Sequence, residues 1–190
     1  MKNSKPSKLR RLIFVSFSIL AVQSIFFLTV IKPTFKGEAC FREAYSLTQS
    51  SSDSDTLELI RRCANYDSKN YRHQALSASF LYAKQMHEES LVYVDRMLEI
   101  EQGSFEGFRL AALNYEALSQ EPLALRYRMM IWESDPYMVD NNYMIIKLLA
   151  YERNSKLASK ILDKMRLVAP ESEYTLEAAQ ILDTYEMKNP

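Results

Sequence analysis

The feature that most restricts the fold of this sequence is a recurrence every 34 residues. Ala124 is matched at that distance by Ser90 and Ala158, Ala112 by Ala78 and Ile146, and Ile131 by Met97 and Met165. Tyr115 is matched by Leu81 and Leu149, and Pro136 by Gln102 and Pro170. One further step toward the amino terminus reaches Ala44, Leu47, Thr56, Ile60 and Cys63. A unit of this size holds two helices of about a dozen residues and a short turn. It cannot bury its apolar face alone, so copies must stack. Small residues are needed where paired helices cross, and large apolar ones where units meet. The stretch SQEPLALRYRMMIWESDP, residues 119–136, shows the punctuation: Pro122 in a first helical turn and Asp135-Pro136 at the close. Polar turns fall at 49–55, 84–89, 119–122 and 152–156, and Gly103 and Pro170 mark unit ends. Three glycines and six prolines in 190 residues, with no alternating strand pattern, favour helix throughout.

A second feature precedes the repeats. LIFVSFSILAVQSIFFLTVI, residues 12–31, contains no charged residue. As a helix it spans ~30 Å, the hydrocarbon thickness of a bilayer. The rival reading is a removed signal peptide, whose apolar region is shorter and ends in a small-x-small site; KPTFKGEAC follows here instead. Residues 12–31 are therefore expected to be an uncleaved signal-anchor in contact with lipid. Residues 1–11 form a basic cytoplasmic segment and 32–36 a linker. Lys2, Lys5, Lys8, Arg10 and Arg11 precede the span and only Lys32 and Lys36 follow closely, so the remainder lies across the membrane. Ser18, Ala21, Gln23 and Ser24 give the span a polar edge, but no small-xxx-small pair is present, and a plain tether is expected.

Seven basic residues and no acid lie in residues 1–36, which leaves the rest of the chain with a formal charge of −7. An acidic body has no concentrated positive field for a phosphate backbone, so nucleic acid is not an expected partner.

The recurrence resembles the tetratricopeptide repeat, a unit of about 34 residues with small residues at its eighth and twentieth positions and proline at its thirty-second. Counted from Gly37, Tyr71, Phe105 and Val139, the units are 37–70, 71–104, 105–138 and 139–172. The third carries Phe108, Ala111, Ala112, Tyr115, Ala124, Ile131 and Pro136 in the family positions. The fourth keeps Ala158 and Pro170 but has Ile146 where a small residue is usual; the second has Ser90 and lacks the proline; the first has Thr56 and Ser68. Residues 173–190 read as a capping helix with Leu176, Ala179, Ile181 and Leu182 on its apolar side. The resemblance implies an all-α fold: an N-terminal transmembrane helix, a right-handed solenoid of four helical hairpins, and a C-terminal cap.

It also implies a concave groove lined by the first helix of each unit. The groove positions fall on Phe41, Tyr45, Arg72, Ser79, Tyr82, Arg109, Leu113, Glu116, Tyr143, Lys147 and Tyr151. Tyrosine and arginine give large contact area with polar tips, which suits a protein partner; the alternative is that the tyrosines fill the stacks between units. Phe41 and Tyr45 stand where some members carry the lysine and asparagine of a chaperone-tail clamp, so that activity is not expected.

Cys40 and Cys63 are equidistant from a point inside the first unit's turn, and in an antiparallel hairpin such residues face one another. A disulfide is expected, favoured in a non-cytosolic compartment; the alternative is two buried thiols acting as small apolar residues. Neither His73 nor His87 lies at metal-ligand spacing from them, and both histidines read as solvated residues near helix starts. The sequence has no phosphate-binding glycine loop, GxSxG elbow or HExxH helix, so an enzyme, a cofactor and a small-molecule substrate are not expected.

The resulting expectation is a single-pass bacterial inner-membrane protein, amino terminus cytoplasmic and repeat domain periplasmic, scaffolding an envelope complex such as pilus, secretion or translocation machinery. The absence of N-x-Ser/Thr sequons fits that setting. The alternative function is a non-catalytic accessory subunit of a membrane glycan polymerase or protein O-oligosaccharyltransferase. WESDPYMVDNNYMIIKLLAYE, residues 132–152, resembles the repeat tails of such enzymes.

Overall fold

A computed structural model describes residues 8–47, 53–152 and 154–188, and among them there are helices and turns but no strand. The chain forms two compact units, Met1–His73 and Gln74–Pro190.

The first unit opens with a helical run that has no break. α1 (Lys8–Phe26) passes through a π turn, Phe27–Ile31, into α2 (Lys32–Leu47). The Lys32 N–H donates to the Phe27 carbonyl, the i→i+5 bond of a widened turn. Pro33 supplies a reason for the widening: it has no N–H to donate, and its ring crowds the carbonyl one turn back, which a wider turn accommodates. Residues 32–36, expected as a linker, are thus helical themselves. From Ser18 onward this run is long and apolar enough to cross a membrane, by length and composition.

α3 (Asp53–Tyr66) returns along α2; most of the turn expected at 49–55 lies outside the described residues. Ala44, Thr56, Leu59, Ile60 and Ala64 are buried between the two helices. Cys40 and Cys63 are joined, with Cα atoms 5.4 Å apart. At the other end of the hairpin the Thr34 hydroxyl donates to Asp67 Oδ2 at 2.8 Å, and the Lys36 ammonium lies 5.8 Å from the centre of the Tyr66 ring.

α4 (Tyr71–Ala83) begins in the first unit and continues into the second. It is followed by α5 (His87–Ile100), α6 (Phe105–Ala117), α7 (Glu121–Ser134), α8 (Val139–Tyr151), α9 (Ser155–Val168) and α10 (Glu173–Lys188). First helices start at Tyr71, Phe105 and Val139, and second helices at Asp53, His87, Glu121 and Ser155, so the 34-residue register never slips. The reason lies at the crossings: Ala78 and Ser90, Ala112 and Ala124, and Ile146 and Ala158 are all fully buried. In the fourth repeat Ile146 takes the expected small position and is buried in one cluster with Ala158.

Local signals set the helix ends. Ser104 caps α6 by accepting from the Gly107 N–H, and Asn154 caps α9 by accepting from Leu157 N–H. α4 and α6 both end through a left-handed residue, Gln85 at φ 60° and Ser119 at φ 54°. Met86 N–H then returns to the Leu81 carbonyl and Gln120 N–H to that of Tyr115, the closing bond of a Schellman turn.

The last hairpin and the cap share one core of Ile145, Ile146, Leu149, Ile161, Leu162, Met165, Ala178 and Leu182. Burial of each large aliphatic there contributes about 2 kcal/mol. The cap differs from expectation in its face. Ala178 and Leu182 are buried and Ala179 and Ile181 half-buried, whereas Leu176 is exposed. Two residues at ~100° each carry Leu176 to the side of the helix opposite Ala178.

Candidate interaction surface

The groove positions divide into three groups. In the first unit Tyr45 and Arg72 are exposed, Arg72 paired with Glu38 at 3.1 Å. Phe41 is buried, and its ring lies 5.2 Å from that of His73. It is a core residue and presents no surface. The space for His73 comes from Gly37: a Cβ there would collide with the imidazole. His73 is consequently not solvated but fully buried; among the described residues neither ring nitrogen has a hydrogen-bond partner, and the Glu38 carboxylate lies 3.8 Å from Nε2. Burial lowers its pKa, opposed by the carboxylates of Glu38 and Asp67.

In the second and third repeats Ser79, Tyr82, Leu113 and Glu116 are half-buried and Arg109 is exposed. Glu116 is turned onto α7, where its two oxygens accept from Arg128 Nε at 2.8 Å and Nη2 at 3.1 Å. Arg128 is itself buried, and Asn141 of α8 accepts from it at 3.4 Å while donating back to its carbonyl. The pair belongs to the packing between α6, α7 and α8. Tyr82 meets His87 edge-on at 5.4 Å. His87 is half-buried, and its Nδ1 is 3.2 Å from Asn114 Oδ1. The Asn114 amide donates to Leu110 O and to Ser90 Oγ, and Ser90 donates to Ala78 O. With both amide hydrogens so used, the Asn114 oxygen is the atom that faces the imidazole. An open depression of about 390 Å³ beside this chain is lined by Gln85, Met86, His87, Glu88, Glu89 and Leu118.

The third group lies on α8. Tyr143, Lys147 and Tyr151 follow one another at four-residue spacing, so they share a helix face. The Lys147 ammonium is 5.3 Å from the Tyr143 ring centre, and Tyr174 of α10 lies 5.3 Å from the same ring. The Tyr143 hydroxyl has a raised pKa, first through its hydrogen bond to Glu177 and then through burial. Tyr151 is 78% exposed, and Lys147 and Tyr174 are exposed as well. The four side chains together form an aromatic stripe with a cation above it. Among the described residues no cluster of three or more His, Cys, Asp or Glu could hold a metal ion.

Tyr174, Arg128, Asn141, Asn114 and the burial of His73 were outside the sequence reading. Two of the polar residues left a signal: Asn114 stands in register with Phe80 and Leu148, and Arg128 with Val94 and Leu162, positions that the apolar period assigns to the interior.

No protein-family model and no curated protein sequence matches the chain. Solved structures do. A tetratricopeptide repeat protein from Parabacteroides merdae superposes with a TM-score of 0.72 at 15% identity, over 80% of this chain and 61% of that one. The chain thus spans less than two thirds of that protein's length. MamA of Desulfovibrio magneticus, residues 41 to the end, gives 0.63 at 12% identity over 81% of this chain and 97% of that one. YrrB, described as a tetratricopeptide protein with an unusual peptide-binding site, gives 0.62 at 16% identity over 90% and 87%. The helix register, the buried small crossings and these superpositions together establish that the chain has the tetratricopeptide-repeat fold.

Proposed function

We propose that this protein is a membrane-anchored interaction scaffold. Residues 12–31 hold it in a bilayer, and the repeat domain receives a segment of a protein partner. The observation that carries this reading is the α8 stripe, where exposed Tyr151, Lys147 and Tyr174 surround the half-buried Tyr143. The segment that fits it has apolar or aromatic side chains to cover the rings and a carboxylate to meet Lys147, with Arg109 as a second cation. The placement is the bacterial inner membrane with the repeat domain in the periplasm, where the Cys40–Cys63 bond persists. The process is assembly of an envelope complex.

The test is photocrosslinking in intact cells from Tyr151 and Arg109, with and without Lys147→Glu. The proposal expects one protein caught from both positions and its loss in the variant. Capture of nothing from either position refutes the scaffold reading. Capture of a multispanning glycosyltransferase alone shifts the role to an accessory subunit of that enzyme.

A further inference from the structure

The first hairpin has an end that the anchor helix forces close to lipid. This rests on the proposal that residues 12–31 span the bilayer. If the hydrocarbon edge lies at Ile31, the unbroken helix carries Thr34 about 4.5 Å and Phe35 about 6 Å beyond it. The headgroup layer is roughly 5–7 Å thick on each side, so residues 32–36 cross it. The chain does not leave this layer alone. The Thr34–Asp67 hydrogen bond, at 2.8 Å, and the stacking of Lys36 on Tyr66 bring the end of α3 to the same depth. The turn at 67–70, which reverses the chain into α4, is therefore the membrane-side tip of the unit.

The chemistry of that tip suits phospholipid headgroups. Phe35 is 72% exposed on α2, Tyr66 is exposed at the end of α3, and Lys32, Lys36 and Lys69 all reach solvent. The carboxylates nearby are already engaged: Asp67 accepts from Thr34 and from Asn70, and Glu38 from Arg72. Aromatic side chains favour the interfacial layer, and lysines beside it favour anionic phosphates. We infer that the start of α2 and the turn at 67–70 form a phospholipid-headgroup contact, with Lys32, Lys36 and Lys69 facing the phosphates and Phe35 and Tyr66 seated in the interface. The first repeat is then a collar resting on the membrane and not a domain swinging free on a tether.

The full chain is reconstituted in phosphatidylcholine vesicles containing phosphatidylglycerol. The native cysteines are paired, so Ser68→Cys and, separately, Ser46→Cys each accept one fluorophore. Both positions are exposed; Ser68 is in the turn, and Ser46 is about 22 Å past Ile31 along α2. A nitroxide on the lipid headgroup should remove most of the emission at Ser68 and little at Ser46. Lys69→Glu added to the Ser68 probe should restore much of the lost emission. If the chain resists alkaline extraction yet both probes are quenched equally weakly, the headgroup contact is wrong and the anchor stands. If alkali releases the chain, the anchor reading falls and the contact with it.

Discussion

The Glu116–Arg128 pair gives the sharpest test of the packing in the third repeat. Arg128's side chain is only 7% exposed, and Glu116 supplies its two shorter bonds, at 2.8 and 3.1 Å. In Glu116→Ala the guanidinium loses its carboxylate and keeps, among the described residues, Asn141 Oδ1 at 3.4 Å. Removing one partner of a buried pair costs about 3–5 kcal/mol, because the remaining charge is uncompensated. Glu116 is 18% exposed, so water can enter the site it vacates, and the lower end, about 3 kcal/mol, is expected. The converse change is milder. Arg128→Met keeps the packed stem and leaves Glu116 to hydrate itself, at a cost of about 1 kcal/mol. The double variant Glu116→Leu/Arg128→Met should recover most of the loss, since an apolar pair of similar volume replaces the ion pair without a desolvation cost. Urea denaturation of the full chain in detergent, followed by circular dichroism, measures all three. The reasoning fails if Glu116→Ala costs less than about 1 kcal/mol, the range of a solvated surface pair, or if the two single variants are equal.

Other outcomes follow from single positions. Ser119→Gly removes the penalty of a side chain at φ 54° and should stabilise by about 1 kcal/mol, visible as a higher urea midpoint; Gln85→Gly, at φ 60°, should do the same. Cys40→Ser/Cys63→Ser opens a loop closed across 23 residues and should destabilise the first unit by about 3 kcal/mol, read by protease resistance of the first hairpin. Gly37→Ala places a methyl group into the His73 ring and should cost about 1–3 kcal/mol in the same protease assay. For His73 itself the folded pKa lies below the unfolded value, so the unfolded chain binds more protons between the two. Stability of the first unit should therefore fall as pH drops below about 6.5, and His73→Phe should flatten that slope.

The sequence makes the repeat legible because its signals are local and periodic. A 34-residue step in small and large apolar residues places Ala112, Ala124 and Ala158 inside without knowledge of any partner. The disulfide is legible for the same reason, since hairpin geometry depends only on distance from the turn. What escapes is anything set by the absence or chemistry of a distant neighbour. Gly37 reads as a unit boundary; only the fold reveals it as the space that takes His73 inside and covers Phe41. Glu116 reads as a groove residue until Arg128, twelve residues on, turns it toward α7. Leu176 counts as apolar in the pattern, yet the helix face is chosen by Ala178, a smaller residue that fits closer to the core.

The π turn at Phe27–Ile31 acts as a phase setting between α1 and α2. Relative to a plain α-helix it holds one surplus residue, and one residue is worth ~100° of azimuth. Deleting a single residue from this turn would leave the amount of apolar chain almost unchanged while swivelling α1 about its long axis relative to α2. The edge of Ser18, Ala21 and Ser24 would then face a different direction relative to the first hairpin. If residues 12–31 span a bilayer as proposed, that single deletion would turn the first hairpin about the membrane normal without changing how deeply it is anchored.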